Sequence, residues 1–321
     1  MNKLLFAGAF VANIAVIGGA IAAEYPSRPI TVIVPFAAGS PLPSLLAERM
    51  QASLGQPVVM EYMAGAAGTI GTARVVRAQP DGYTLNYGLW DSHVLSPAVL
   101  SVDYDPLRDL EPVSLLPANP QVIVSKNSLP AHDLRELIAW LKENPGKASQ
   151  GTGGFGSAAH VSGIQFQKVT DTHYQFVPYR GFVPAMQDLL AGNIDLMIDQ
   201  SINSLPQIKA GNIRAYAVTA KTRLAAAEDI PTVDEAGLPG FYMSVWRGLW
   251  APKGTSREII AKLNRAVAET LADAGVRQRL IEFGQEIPAP DQLTPEALGA
   301  FHKAEVEKWW PIIRAAGIKV E

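Results

Sequence analysis

The sequence predicts an α/β protein of two lobes, with parallel and mixed sheets flanked by helices. Three features predict it. Short β-branched runs alternate with segments of helical spacing, the alternation breaks off and restarts before residue 125, and the final stretch is helical throughout.

The elements follow in order. Ile30–Val34 is β-branched and ends at Pro35, so it reads as a buried strand. Leu45, Leu46, Met50 and Leu54 lie at helical spacing, with Ser40 or Ser44 available as a cap and prolines tolerated near the first turn. Pro57–Met60 is the next strand. A helix from Gly68 to Ala78 stops at the turn Pro80-Asp81-Gly82, and Tyr83–Tyr87 is the third strand. The pattern restarts with a strand at Gln121–Val124 and a helix from Asp133 to Glu143. The Gly-rich stretch 151–157 leads into a helix ending near Val169. Strands follow at Tyr174–Val177, Leu196–Ile198 and Ala215–Val218, with a helix at Phe182–Ala191. A strand-like segment runs from Phe241 to Pro252. Two helices close the chain, near Arg257–Ala274 and Thr294–Ala316, with Ser256 placed to start the first.

The N-terminus carries a weakly positive start at Met1-Asn2-Lys3, an apolar stretch Leu4–Ala22 and an Ala20-Ile21-Ala22 close. These are the parts of a secretory signal peptide, with cleavage near Ala22 or Ala23. The competing reading is a retained anchor, since the stretch is long enough to span a bilayer; small residues in its second half favour cleavage. The 321 residues include no cysteine, so an exported chain is stabilised by its core alone, and thiol chemistry is excluded. With 27 basic and 30 acidic side chains and no basic cluster, nucleic acid is not an expected partner.

In open parallel sheets, ligands collect where loops leave the carboxyl ends of strands. Here the loops 37–41, 65–72, 151–157 and 179–181 are rich in Gly, Ser, Thr and Ala. Such loops let backbone N–H groups approach a ligand, and at helix starts they favour an anion. No nucleophile elbow, zinc-binding HExxH or phosphate loop occurs, and the histidines at 93, 132, 160, 173 and 302 show no metal spacing. A hydrolase built on Ser157, His160 and Asp199 would rest on a dyad one helical turn apart, which is weak support.

Several segments resemble the Bug-type substrate-binding proteins of tripartite tricarboxylate transporters. They are Tyr25-Pro26-Ser27-Arg28-Pro29-Ile30, Pro35-Phe36-Ala37-Ala38-Gly39, Gly65-Ala66-Ala67-Gly68, Pro80-Asp81-Gly82-Tyr83-Thr84-Leu85 and Ser92-His93-Val94-Leu95-Ser96-Pro97. Further on, Gly156-Ser157-Ala158-Ala159-His160, Val177-Pro178-Tyr179-Arg180-Gly181, Leu189–Asp195 and Ala251-Pro252-Lys253-Gly254-Thr255 continue the match in order. The resemblance implies a periplasmic clamshell of type II binding-protein topology, the Venus-flytrap form. Residues 1–23 would be the signal peptide, 24–124 plus 239–321 one lobe and 125–238 the other. It implies a receptor without catalysis or cofactor, binding a small carboxylate (aliphatic or aromatic) and feeding integral-membrane permease subunits; length and charge leave the oligomeric state open, with a monomer the default for a solute receptor. A periplasmic sensor for a signalling receptor is the alternative use of the same fold.

Candidate ligand contacts in the first loop are Phe36, Ala38, Gly39 and Ser40, with Ala67 in the second. The resemblance falters at Gly39-Ser40-Pro41-Leu42-Pro43, where the family carries G-G-x-x-D. It falters again at Trp90 and Asp91, where small residues are usual before the position of Ser92. Trp90 would be a wall for a flat ligand; Asp91 would repel a carboxylate or pair with an amino or hydroxyl group. In the second half Thr152, Ser157, His160, Tyr179, Arg180 and Asp199 are candidates. Ser157 either donates to a carboxylate or caps its helix. Arg180 either grips a carboxylate or forms a salt bridge. Tyr179 lines the cleft, and Asp199 holds a water or the hinge.

Overall fold

A computed structural model describes residues 24–36, 38 and 40–315; the expected signal segment and Gly39 lie outside them. The first half-sheet begins with β1 (Ile30–Val34), α1 (Leu42–Leu54), β2 (Val58–Tyr62), α2 (Thr69–Val76) and β3 (Thr84–Leu89). β1 pairs in parallel with both β2 and β3. Both faces of β1 are covered: Ile30, Val32 and Val34 join one buried cluster and Ile33 another. That explains its unbroken apolar run, since a strand buried on both sides has no reason to alternate.

α1 starts one turn earlier than its apolar spacing suggests and without the expected serine cap. Pro41 is at its N-cap, Pro43 in its first turn, and Ser44 lies inside the helix. A short helix, α3 (Ser96–Val99), follows β3 after a single π-turn, Asp91–Leu95. β4 (Leu110–Lys126) is a 17-residue strand, of which the sequence pattern reveals only the end. Pro112, Pro117 and Pro120 hide the rest. They are tolerated because this part of β4 is the edge of the half-sheet, with register shifts between Pro112 and Ser114 and between Leu116 and Asn119.

The chain then builds a second half-sheet. Its elements are α4 (Leu134–Glu143), β5 (Ser149–Thr152), α5 (Ala158–Thr170), β6 (Gln175–Pro178), α6 (Phe182–Ala191), β7 (Leu196–Gln200), α7 (Ser201–Lys209) and β8 (Ile213–Val218). β9 (Ser244–Pro252) returns to the first half-sheet, inserting antiparallel between β3 and β4. The strand order is β2-β1-β3-β9-β4 in one half and β8-β4-β7-β5-β6 in the other, so β4 belongs to both. Beside it Met243 leads into β9, and its carbonyl accepts from Gln121 N at 3.1 Å. Two neighbouring strands therefore carry the chain between the lobes.

α8 (Arg257–Ala272), α9 (Ala274–Glu282) and α10 (Pro295–Ala315) close the fold. The helix expected near Arg257–Ala274 is α8, and α9 is unforeseen. Asp273 is extended, which ends α8, and its carboxylate accepts from Val276 N at 2.9 Å to start α9. α7 is also unforeseen, because Pro206 interrupts its pattern. Among the described residues no helix is long and apolar enough to cross a membrane.

Candidate functional site

The carboxyl ends of β1, β2 and β3 bring their loops together. A Cβ on Gly68 would fall 2.8 Å from Ser92 Cβ and 3.3 Å from the Pro35 carbonyl, so only glycine lets these segments meet. Before it, Ala66 and Ala67 both adopt left-handed backbone, at φ 43° and 49°. Each costs on the order of 1 kcal/mol. The turn is held by Thr69 Oγ1 donating to the Ala66 carbonyl at 2.9 Å and Ser96 Oγ to that of Ala67 at 3.0 Å.

In the loop after β1, Phe36 packs edge-to-face on Tyr87, with centroids 5.9 Å apart, and Ala38 is exposed. Ser40 Oγ accepts from Leu42 N at 3.4 Å. Since Pro41 and Pro43 have no N–H, the start of α1 has few backbone donors left for an anion.

After β3, neighbouring side chains diverge. Trp90 is 1% exposed and meets Trp309 of α10 edge-to-face at 4.9 Å. It lines a cavity of about 270 Å³ with Trp246, Phe301, Glu286 and Glu305, on the α10 side of the interlobe strands rather than among the convergent loops. Ser92 Oγ accepts from Leu89 N at 3.1 Å and lies 3.0 Å from His93 Nδ1. His93 is buried against Trp250, ring centroids 4.0 Å apart, and lies near His302. Desolvation first, and then His302, holds His93 well below its usual pKa, so it is neutral. The Ser92–His93 contact is thus a local brace for the π-turn and has no orienting carboxylate.

In the second lobe, Thr152 ends β5, fully buried, with its hydroxyl 3.4 Å from Gly154 N. Ser157 is the N-cap of α5 and accepts from His160 N at 3.4 Å. His160 Nδ1 accepts from Gly156 N at 3.1 Å, and its ring is wedged between Phe155 and Phe176. Desolvation lowers its pKa to about 4. No hydrogen bond joins the Ser157 hydroxyl to the His160 ring. Tyr179 donates to Asp188 at 2.5 Å, while Arg180 is exposed and forms no ion pair among the described residues. Asp199, at the end of β7, accepts from Asn203 through Oδ1 at 3.2 Å; its Oδ2 is buried without a partner. Burial raises its pKa to about 6.

Two residues tie the halves together. Asp91 Oδ1 accepts from Ala158 N, the first amide of α5, at 2.9 Å. Arg247 of β9 is only 4% exposed. Its guanidinium donates to the Pro117 and Val245 carbonyls at 3.2 Å and to Gln285 at 3.3 Å, and its Nη2 donates to Gln200 of β7 at 2.5 Å. No carboxylate pairs with it among the described residues, although buried charges are normally paired. The sequence reading missed Arg247. The available signal was a lone charge inside the aromatic strand Ser244–Pro252.

Facing loops at strand ends, two connecting strands and a buried cation between the halves define the class: a two-lobed type II solute-binding protein, not an enzyme. More narrowly, the chain belongs to the tripartite tricarboxylate transporter family receptors, whose model matches residues 44–318. It is similar to the periplasmic binding protein BugD, at 38% identity and a TM-score of 0.83, over 92% of this chain and 100% of that one. MatC of Rhodopseudomonas palustris, solved with malate, is 36% identical, with a TM-score of 0.82 and coverage of 90% and 100%. Rpa4515 of R. palustris, solved with adipate, is 31% identical, with a TM-score of 0.84 and coverage of 92% and 99%. Proteins of this family are periplasmic binding proteins.

Proposed function

We propose that this chain is exported, is cleaved near Ala22 or Ala23, and closes its lobes as a monomer on a small carboxylate-bearing solute for delivery to permease subunits of a tripartite tricarboxylate-type transporter. The lobes are 24–124 plus 239–321 and 125–238. The single observation that carries the reading is Arg247, a buried guanidinium with no carboxylate of its own, bonded to Gln285 on one side and to Gln200 at the end of β7 on the other. A solute carboxylate would supply the missing countercharge. Malate in MatC and adipate in Rpa4515 support the solute class. The remaining contacts come from Phe36, Ala38, Gly39, Ser40, Ala67 and Ser92 in one lobe and from Thr152, Ser157, His160, Tyr179, Arg180 and Asp199 in the other, with Asp91 at their junction; Trp90, expected from the sequence as a ligand wall, packs on Trp309 of α10 instead.

A thermal-shift screen of the mature chain against aliphatic, aromatic and amino-substituted carboxylates tests this. A solute at 100 times its Kd should stabilise the protein by about 2.7 kcal/mol. A response to sugars or diamines, with none to any carboxylate, would exclude the carboxylate reading.

A further inference from the structure

Asp91 opens the π-turn after β3, and its carboxylate reaches across to the other lobe, where it accepts from Ala158 N at 2.9 Å. That amide belongs to the first turn of the 13-residue α5; Ser157 serves the His160 amide of the same turn. The helix start facing the cleft from the second lobe therefore already holds an anion, provided by the chain itself. Among the described residues the start of α1 offers no equivalent place, because Pro41 and Pro43 lack donors and Ser40 takes the Leu42 amide. Burial pushes the Asp91 carboxyl up from its ordinary pKa, and the Ala158 amide and the field of Arg247 act against that; no carboxylate forms an ion pair with the Arg247 guanidinium among the described residues.

We infer that Asp91 determines solute specificity: it fills the anion seat at the start of α5, so the solute presents one carboxylate elsewhere and an amino or hydroxyl group toward Asp91. The inference rests on the interlobe cleft being the solute site. Charge balance favours it. Asp91 answers the helix start and leaves the Arg247 guanidinium to one solute carboxylate, so a monocarboxylate with a donor at its far end adds no unmatched charge. A second carboxylate about 4 Å from Asp91 would lose about a thousandfold in affinity at an effective dielectric near 20. A solute amino or hydroxyl group can instead donate to the Asp91 oxygen that Ala158 leaves free.

Length-matched probes test this by calorimetric titration of the mature chain: adipate against 6-aminohexanoate and 6-hydroxyhexanoate, and succinate against 4-aminobutyrate. Wild type should prefer the amino or hydroxy monocarboxylate at least tenfold within a pair. Asp91→Ser, which empties the seat, should reverse that order by a further tenfold or more. Asp91→Asn keeps the shape and the acceptor for Ala158 and guards against misfolding; it should lose the amino preference while still binding the hydroxy acid. In solute-free protein, exchange of the Ala158 amide should quicken at least tenfold in Asp91→Ser, with the His160 amide unchanged. Binding with an unchanged preference, or unchanged Ala158 exchange, overturns the role of Asp91 and leaves the carboxylate receptor standing. Absence of binding by every carboxylate in wild type overturns both.

Discussion

Asp199 shows how one buried carboxyl couples the second lobe to pH. One of its oxygens is bonded to Asn203 and the other has no partner, so burial outweighs its hydrogen bonds and its pKa rises to about 6. The folded state then holds the proton more tightly than the unfolded chain, whose carboxyl titrates near the ordinary 3.8. The stabilising contribution is complete below that value and is lost as pH rises through about 6. Asp199→Asn should therefore stabilise the solute-free protein by up to about 3 kcal/mol at pH 7.5 and by little at pH 4. Urea unfolding at both pH values checks this; an equal gain at each would mean that ionisation of Asp199 is not the cause.

At the scale of elements, glycine placement decides whether the β3 turn can form. A Cβ on Gly88 would lie 2.1 Å from His93 Cε1, and the ring is buried and stacked on Trp250 with centroids 4.0 Å apart, which leaves it little room to give. Gly88→Ala should cost about 3 kcal/mol by overpacking. Gly192, which ends α6 with φ of 80°, has open space around it, so Gly192→Ala should cost only about 1 kcal/mol of backbone strain. The two variants can be ranked by urea midpoint; similar losses would show that steric closure at Gly88 is unimportant. A glycine count in the sequence cannot separate these cases, because what differs is a ring that folds back from five residues later.

At the scale of the whole molecule, β4 and β9 are the paired strands that carry the chain between the lobes. Arg247 joins them to β7 through Gln200 and to the segment after α9 through Gln285. Solute contacts from both lobes should bias the molecule toward its closed state. The absence of native cysteine permits site-specific dyes at Gln51→Cys in α1 and Lys142→Cys in α4, both exposed positions on opposite lobes. Saturating solute should shorten and narrow the interdye distance. A distance unaffected by a solute that demonstrably binds would rule out capture by closure.

Local pattern alone determined most elements of this protein and the strand-end loops where a ligand would collect. Apolar runs such as Ile30–Val34, and turn signals such as Pro80-Asp81-Gly82, act within a few residues of themselves. The family was legible for the same reason, since its marks are short and lie in order along the chain. Tertiary structure decided the rest. The first part of β4 is a strand despite its prolines because it lies at a sheet edge. Trp90 faces α10 and Asp91 faces α5, a divergence set by the π-turn between partners far away in sequence. Arg247 gains its meaning only when residues 117, 200 and 285 gather around it. Burial and charge pairing belong to neighbours in space, and one-dimensional spacing does not contain them.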